Sequence, residues 1–250
     1  MKKLLLVAAL ASAMASASVV AENIPAKLDW SQRVELGSLV SGVISKVHVA
    51  EGQKVKSGAA LVSFDRRSFN ADVKRAAAVA DRAKLAEEEA LLDAERNEEL
   101  YERTVISDRE LKLSQIDSRN AQAEAAIARA ELLRARIDLE RATVRSPFAG
   151  TVVAVNAAKG QAVVNGLQSL PLVTVVDSST MLAVAEIDAA SAAKLAIGDA
   201  VKLEVRGQVI DAAVKSIGME ANANGKYALR IGFSPEDTMR AGEAATIQLP

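Results

Sequence analysis

Residue types able to do covalent or metal chemistry are thinly spread along this 250-residue chain. It contains no Cys, which removes thiol nucleophiles, disulfides and an acylated-Cys anchor together. Its single His, His48 in "SKVHVAEG", has no metal-spaced carboxylate pair and no triad partners nearby in sequence, so it reads as a strand-surface residue. The glycine-rich stretch "EGQKVKSG" carries no Walker pattern and reads as a pair of β-turns. The five Met are scattered, two of them in the first residues. No metal, cofactor or catalytic residue is expected, and the informative side chains are those suited to recognition.

The overall balance points the same way. Half the residues are apolar, a quarter are charged, and the formal net charge is −1, as in a globular protein of one to three modules. With one Trp, two Tyr and four Phe there is neither the positive field nor the aromatic surface that nucleic acid requires.

The elements that must position any recognition surface begin with an internal repeat. "SGVISKVHVAEGQKVKSGAALVSFD", from Ser41 to Asp65, reappears as "GTVVAVNAAKGQAVVNGLQSLPLVTVVD", from Gly150 to Asp177. Gly42, Gly52 and Gly58 align with Gly150, Gly160 and Gly166, and Val47, Gln53 and Val55 with Val155, Gln161 and Val163. Short Val/Ile/Leu runs punctuated by these glycines describe a small β-unit written twice, with the glycines taken as its turns.

Between the copies, from about Ser68 to Thr143, Gly and Pro vanish and Ala, Glu, Arg and Leu dominate, the composition of long helices. Two arms of about 35 residues, each about 50 Å long at 1.5 Å per residue, are predicted with a break near Thr104 to Ile106. Ala76, Ala80, Ala83, Glu87, Ala90 and Ala94 form a seam in the first arm. Leu113, Ile116, Asn120, Ala123, Ile127, Ala130, Arg134 and Ile137 form one in the second, both at the three- and four-residue steps of an antiparallel coiled-coil hairpin. "ISDREL" supplies a capping box, with Ser107 as N-cap and Glu110 at the third helical position, and Ile106 and Leu111 placed for a hydrophobic staple.

The opening "MKKLLLVAALASAMASASVVAENIP" reads as a signal peptide over residues 1–21, with cleavage expected after Ala21 and Ala15-Ser16-Ala17 as another site. An uncleaved anchor is the rival reading, weakened by the Ala and Ser content of the second half. A periplasmic location follows from the signal.

A duplicated β half-motif split by a helical hairpin, with "ATVRSPFAGTVV" reopening the second half, resembles the periplasmic adaptors, or HlyD-like membrane fusion proteins. The resemblance implies an α+β fold: a split lipoyl-like β-domain over 34–67 and 144–177, the hairpin over 68–143, and a β-barrel domain over 22–33 and 178–250. Gly198 and Gly242 stand in the barrel's usual turn positions, whereas Glu243 and Ala244 replace the Met and bulkier apolar residue of many relatives. The family's membrane-proximal domain is expected to be absent, since few residues precede Trp30 and the chain stops at Pro250. Trp30 itself is expected beside the lipoyl or barrel core.

In the family the hairpin reaches an outer-membrane channel, and adaptors for TolC-type channels carry Arg, Leu four positions on and Ser seven further. Arg96, Leu100 and Ser107 have that spacing. Arg96 would offer forked donors, Leu100 an apolar knob and Ser107 a hydroxyl, although Ser107 is equally explained as a cap. "FDRRSF" at the junction offers Arg66 and Arg67 but no Lys, so the swinging arm of true lipoyl domains is not expected. The Met clusters of copper- or silver-exporting adaptors are missing. The implied partners are an inner-membrane exporter, RND-type or alternatively ABC-type, a TolC-type channel, and further copies of the chain, six in the family. A free-standing periplasmic scaffold or binding module is the reading from another class.

Overall fold

The computed structural model describes residues 23–166, 171–235 and 238–249. The proposed signal peptide, with its cleavage site, lies outside the described residues. In chain order the elements are β1 (Asn23–Trp30), β2 (Arg33–Leu36), β3 (Gly42–Val47), β4 (Lys54–Val55), β5 (Ala60–Phe64), α1 (Arg67–Glu102), α2 (Asp108–Arg141) and β6 (Thr143–Arg145). They continue with β7 (Gly150–Val155), β8 (Ala162–Val163), β9 (Val173–Val176), β10 (Met181–Ile187), α3 (Ala189–Ala192), β11 (Ala200–Val205), β12 (Gln208–Ala221), β13 (Tyr227–Phe233) and β14 (Ala244–Gln248). The chain divides into two compact units, Gln32–Ser178 and a second made from the segments on either side of it.

In the second unit the strands close into a barrel in the order β1-β10-β13-β12-β11-β14. Alternation drives closure: Ile24, Ala26 and Leu28 in β1 and Met181, Ala183, Ala185 and Ile187 in β10 point inward at every second residue. Trp30 packs half-buried against this core. Gly198 and Gly242 both lie in turns at positive φ. The departure at Glu243 has a structural use here, because its Oε1 accepts from the Arg206 guanidinium at 2.6 Å and from the Arg240 amide at 3.0 Å. It thereby ties two turns at one rim. Those two bonds hold the Glu243 carboxyl below the usual carboxylate range, the Arg206 bond contributing most.

The unit Gln32–Ser178 holds two four-stranded sheets, β2-β9-β7-β4 and β6-β5-β3-β8, around a core that includes Ile44, Leu61, Phe64, Val152, Leu172 and Val175. The two sequence copies do not fold side by side; each completes the other. Gly42↔Val163 and Val43↔Ala162 pair β3 with β8, and the equivalent Gly150↔Val55 and Thr151↔Lys54 pair β7 with β4. The Gly52 amide donates to the Val152 carbonyl at 2.8 Å, and its counterpart Gly160 donates to Ile44 at 2.8 Å. Gln53 and Gln161 close their own turns identically, accepting from Ala50 at 3.1 Å and Ala158 at 2.9 Å. The symmetry begins earlier than the repeat read from sequence. Ser38 donates to the Val40 carbonyl and Ser146 to the Phe148 carbonyl, so "SLVSG" and "SPFAG" belong to it.

The six repeat glycines separate into two kinds. Gly52, Gly58, Gly160 and Gly166 have positive φ and sit in turns. Gly42 and Gly150 are instead the first residues of β3 and β7, which corrects their assignment as turn glycines. Their requirement is closeness: a Cβ on Gly150 would stand 2.2 Å from the Val176 carbonyl oxygen, and one on Gly42 would stand 3.2 Å from the Phe64 ring.

Candidate functional site

The two long helices leave the sheets where β5 and β6 are paired, Ser63 opposite Thr143, and return to that point. They begin one residue earlier than the composition suggested and end at Arg141, Thr143 having already joined β6. Glu87 and Arg129 meet across the pair, and the groove between the helices places Phe69 and Asp72 near Asp138, so the helices run antiparallel. At 36 and 34 residues they extend about 54 and 51 Å.

The facing side of α1 is the expected one, with Ala76, Ala80, Ala83, Glu87, Ala90 and Ala94 buried or half-buried. The facing side of α2 is not. Leu111, Ser114, Ser118, Ala121, Ala125, Ala128, Leu132 and Ala135 turn inward. The expected seam lies on the opposite face, Leu113, Ile116 and Ile127 being 49%, 52% and 65% exposed. The reason is steric. Ala on α1 lets the axes approach closely, so the middle of α2 presents the small residues Ser114 to Ala128, with Leu111 and Leu132 only toward the ends, and Leu113, Ile116 and Ile127 are turned outward.

The tip is built by two opposed caps. Helix α1 stops with Val105 donating to the Leu100 carbonyl at 2.9 Å and Thr104 to Tyr101 at 2.8 Å, the paired bonds of a Schellman motif. Thr104 occupies its left-handed position at φ 60°, where Gly is usual. Helix α2 starts with the anticipated capping box: the Ser107 amide donates to Glu110 Oε2 at 2.8 Å and the Glu110 amide to Ser107 Oγ at 3.3 Å. These bonds hold the Glu110 carboxyl below its ordinary range, the backbone donor first. Ile106 and Leu111 are half-buried at the staple positions.

Arg96, Leu100 and Ser107 all belong to this end of the hairpin. Arg96 is exposed and its Nη1 donates to Asp93 Oδ1 at 2.7 Å, so an incoming acceptor competes with a weak, solvated pair. Leu100 is half-buried and supplies the carbonyl that ends α1. Ser107 is exposed, but its hydroxyl is engaged with Glu110 Oε2 at 2.8 Å. The break expected near Thr104 to Ile106 is the apex; what the sequence did not announce is the left-handed cap at Thr104, since a lone Thr between "ER" and "VIS" is a weak signal for one. His48 Nε2 lies 2.8 Å from Ser63 Oγ on the sheet surface. Among the described residues no three His, Asp or Glu side chains converge as a metal site would require, and no helix is long and apolar enough to cross a membrane.

Known proteins share this architecture. Residues 32–176 match the family described as RND MFP, barrel-sandwich hybrid domain. The macrolide export protein MacA of Yersinia pestis is 29% identical over 200 residues, covering 72% of this chain and 53% of that protein. MacA of Escherichia coli O157:H7 is 25% identical over 197 residues, with the same coverage. This chain thus spans about half the length of the curated relatives it matches. A MacA-MexA chimera carrying the Pseudomonas aeruginosa MexA α-hairpin domain superposes with TM-score 0.71 at 23% identity, covering 92% of this chain and 81% of that one. The membrane fusion protein Spr0693 of Streptococcus pneumoniae R6 gives TM-score 0.71 at 21% identity, covering 90% and 97%. The duplicated half-motif, its inserted helices and the matched domain agree on one assignment: the chain belongs to the periplasmic adaptor, or membrane fusion protein, family.

Proposed function

We propose that this adaptor is a non-catalytic bridge between an inner-membrane exporter and a TolC-type outer-membrane channel in a tripartite efflux pump, acting in the periplasm as a ring of copies, six by family resemblance. The helices form a coiled-coil hairpin whose tip docks on the channel, and attachment to the inner membrane is peripheral, through the transporter. The RND class is favoured for that transporter because the matched family description carries the term, with an ABC-type exporter as the alternative. Two relatives are named for macrolide export, which supports a drug-sized solute as cargo.

The observation that carries the reading is the tip. It stands at the far end of helices about 50 Å long, is held by two complete caps, and presents Arg96 free of any buried partner. A rigid apex with an exposed guanidinium suits bidentate contacts to carboxylates or terminal carbonyls at helical ends of a channel.

Arg96→Glu separates docking from folding. The substitution breaks only an exposed ion pair, so stability should change by less than about 0.5 kcal/mol, while removing one partner of a charge-assisted hydrogen bond buried at an interface costs about 2–5 kcal/mol of binding. Export by the variant should collapse with melting temperature and oligomeric state unchanged. For Ser107 the clean substitution is Asn, which keeps N-capping; Asp would set a second carboxylate against Glu110. Full export by Arg96→Glu at native expression would remove the docking role and leave the scaffold reading.

A further inference from the structure

A cleft of about 590 Å³ opens where the hairpin leaves the sheets. Its walls are the loop 39–41 that follows β2, Phe69 in the first turn of α1, and the last turns of α2 over 130–141. A volume of that order suits one drug-sized molecule.

The loop wall is tied down. Asn165, from the second copy of the repeat, holds it twice, its Nδ2 donating to the Leu39 carbonyl at 2.7 Å and its amide to Ser41 Oγ at 2.9 Å. Leu39 is thereby kept 65% exposed at the edge of the cleft instead of folding into the sheet core. The repeat supplies a comparison, because its equivalent tip, Pro147, is held in the same way by Ser57 Oγ at 3.2 Å. That tip follows the end of β6 farther from the helices. The tip that shares a cleft with the helices is the one carrying the larger apolar side chain.

The lining is apolar with a cationic margin. Leu39, Phe69, Leu133 and Ile137 supply the apolar surface, and Arg134 and Arg141 outnumber the one carboxylate, Asp138. Asp138 is engaged by Arg141, at 3.8 Å, whereas Arg134 is exposed and among the described residues has no ion-pair partner. An unpaired planar guanidinium beside an apolar surface suits a carboxylate, sulfonate or phosphate carried on an apolar body.

We propose that this cleft binds a single amphipathic anion, its body against Leu39, Phe69, Leu133 and Ile137 and its charged group on Arg134. The bound molecule touches both helices and the pinned loop, so it fastens the root of the hairpin to the sheets. Occupancy therefore changes hairpin stability. The site uses none of the tip residues and is independent of channel docking.

The probe is 1-anilinonaphthalene-8-sulfonate, an aromatic body with one sulfonate, and the control is N-phenyl-1-naphthylamine, the same body without the charge. Fluorescence of the sulfonate with the full chain should saturate, and saturating dye should raise the temperature at which helicity melts in circular dichroism. Arg134→Ala should weaken the sulfonate at least about tenfold, the loss expected for a hydrogen bond to a charged group, while leaving the uncharged dye within about twofold. Leu39→Asp should weaken both dyes. Both positions are exposed, so folding should be unaffected. Arg136→Ala, also exposed and outside the cleft, should change neither. Undiminished sulfonate binding by Arg134→Ala, equal weakening by Arg136→Ala, or binding without a rise in helix melting would each overturn the assignment. So would the absence of saturable binding, or binding that vanishes as chain concentration rises, which would show the cleft covered by a second copy.

Discussion

The paired sheets of Gln32–Ser178 and the hairpin inserted into them reach stability by opposite routes. Leu61, Val62, Val152, Val173 and Val175 are fully buried in the sheets, and strands from each half of the repeat complete the other. The hairpin buries little beyond Ala80, Ser118, Ala125 and Ala128, and carries Leu and Ile on its outside. Its order comes from helix propensity, a narrow seam of small residues and caps at its apex. A cooperative core can hold a fixed base, whereas a thin two-helix arm can present its large side chains to partners. Both rest on the same chain segment, joined only where β5 meets α1 and α2 meets β6.

If this contrast is right, substitutions in the sheets should be severe and those in the arm mild. The largest effect is expected from Gly150→Val. Its Cβ would meet the Val176 carbonyl oxygen at 2.2 Å, and that oxygen is backbone that cannot turn aside, so β7 cannot keep its pairing with β9. Loss of cooperative unfolding of the sheet unit, followed by circular dichroism, is the predicted outcome; a wild-type melt would show that the two strands can separate without consequence.

Leu61→Ala comes next, with a cost of about 2–5 kcal/mol for a fully buried Leu. The matched change in the arm, Ala80→Gly, should cost about 1 kcal/mol through helix propensity alone. Urea unfolding of both variants measures the ratio, and equal losses would mean that the seam contributes as much as the core.

Thr104→Gly should act in the other direction. A non-glycine residue at φ 60° costs about 1–2 kcal/mol, and Gly relieves it in a Schellman position, offset in part by greater freedom of the unfolded chain. The variant should gain about 1 kcal/mol in the hairpin's melting, and a loss would imply that Thr104 makes a compensating interaction at the apex.

The smallest effect concerns pH. Glu110 has a lowered pKa, through the Ser107 amide first, so its capping contribution is fully present above the ordinary value of 4.5 and is lost as pH falls through the lowered one. Asp65 is lowered from 3.8 to about 2 by the Arg67 side chain and amide, so the start of α1 responds later, between those values. Acid titration of helicity should therefore weaken α2 before α1 while the apolar sheet core persists. Glu110→Gln keeps the capping geometry without the charge and should remove the first step; its persistence would place that step elsewhere.

Local signals carried much of this architecture. The glycine register of the repeat, the Gly-free and Pro-free insert, and Ser107 with Glu110 could be read from the chain because turns, helix propensity and caps depend on nearby residues. Gly150 was recognised as a repeat position but given the wrong reason. Its neighbour is the carbonyl of Val176, far along the chain, and no local pattern announces such an approach. The α2 face shows the same limit. Leu113, Ile116, Ile127 and Ile137 repeat at helical spacing and read as the packing seam, yet periodicity states only that a face is apolar, and this one is exposed. Which face turns inward was decided by α1, whose alanines favour close approach to the small residues Ser114 to Ala128 in the middle of α2, leaving Leu113, Ile116 and Ile127 on the outside.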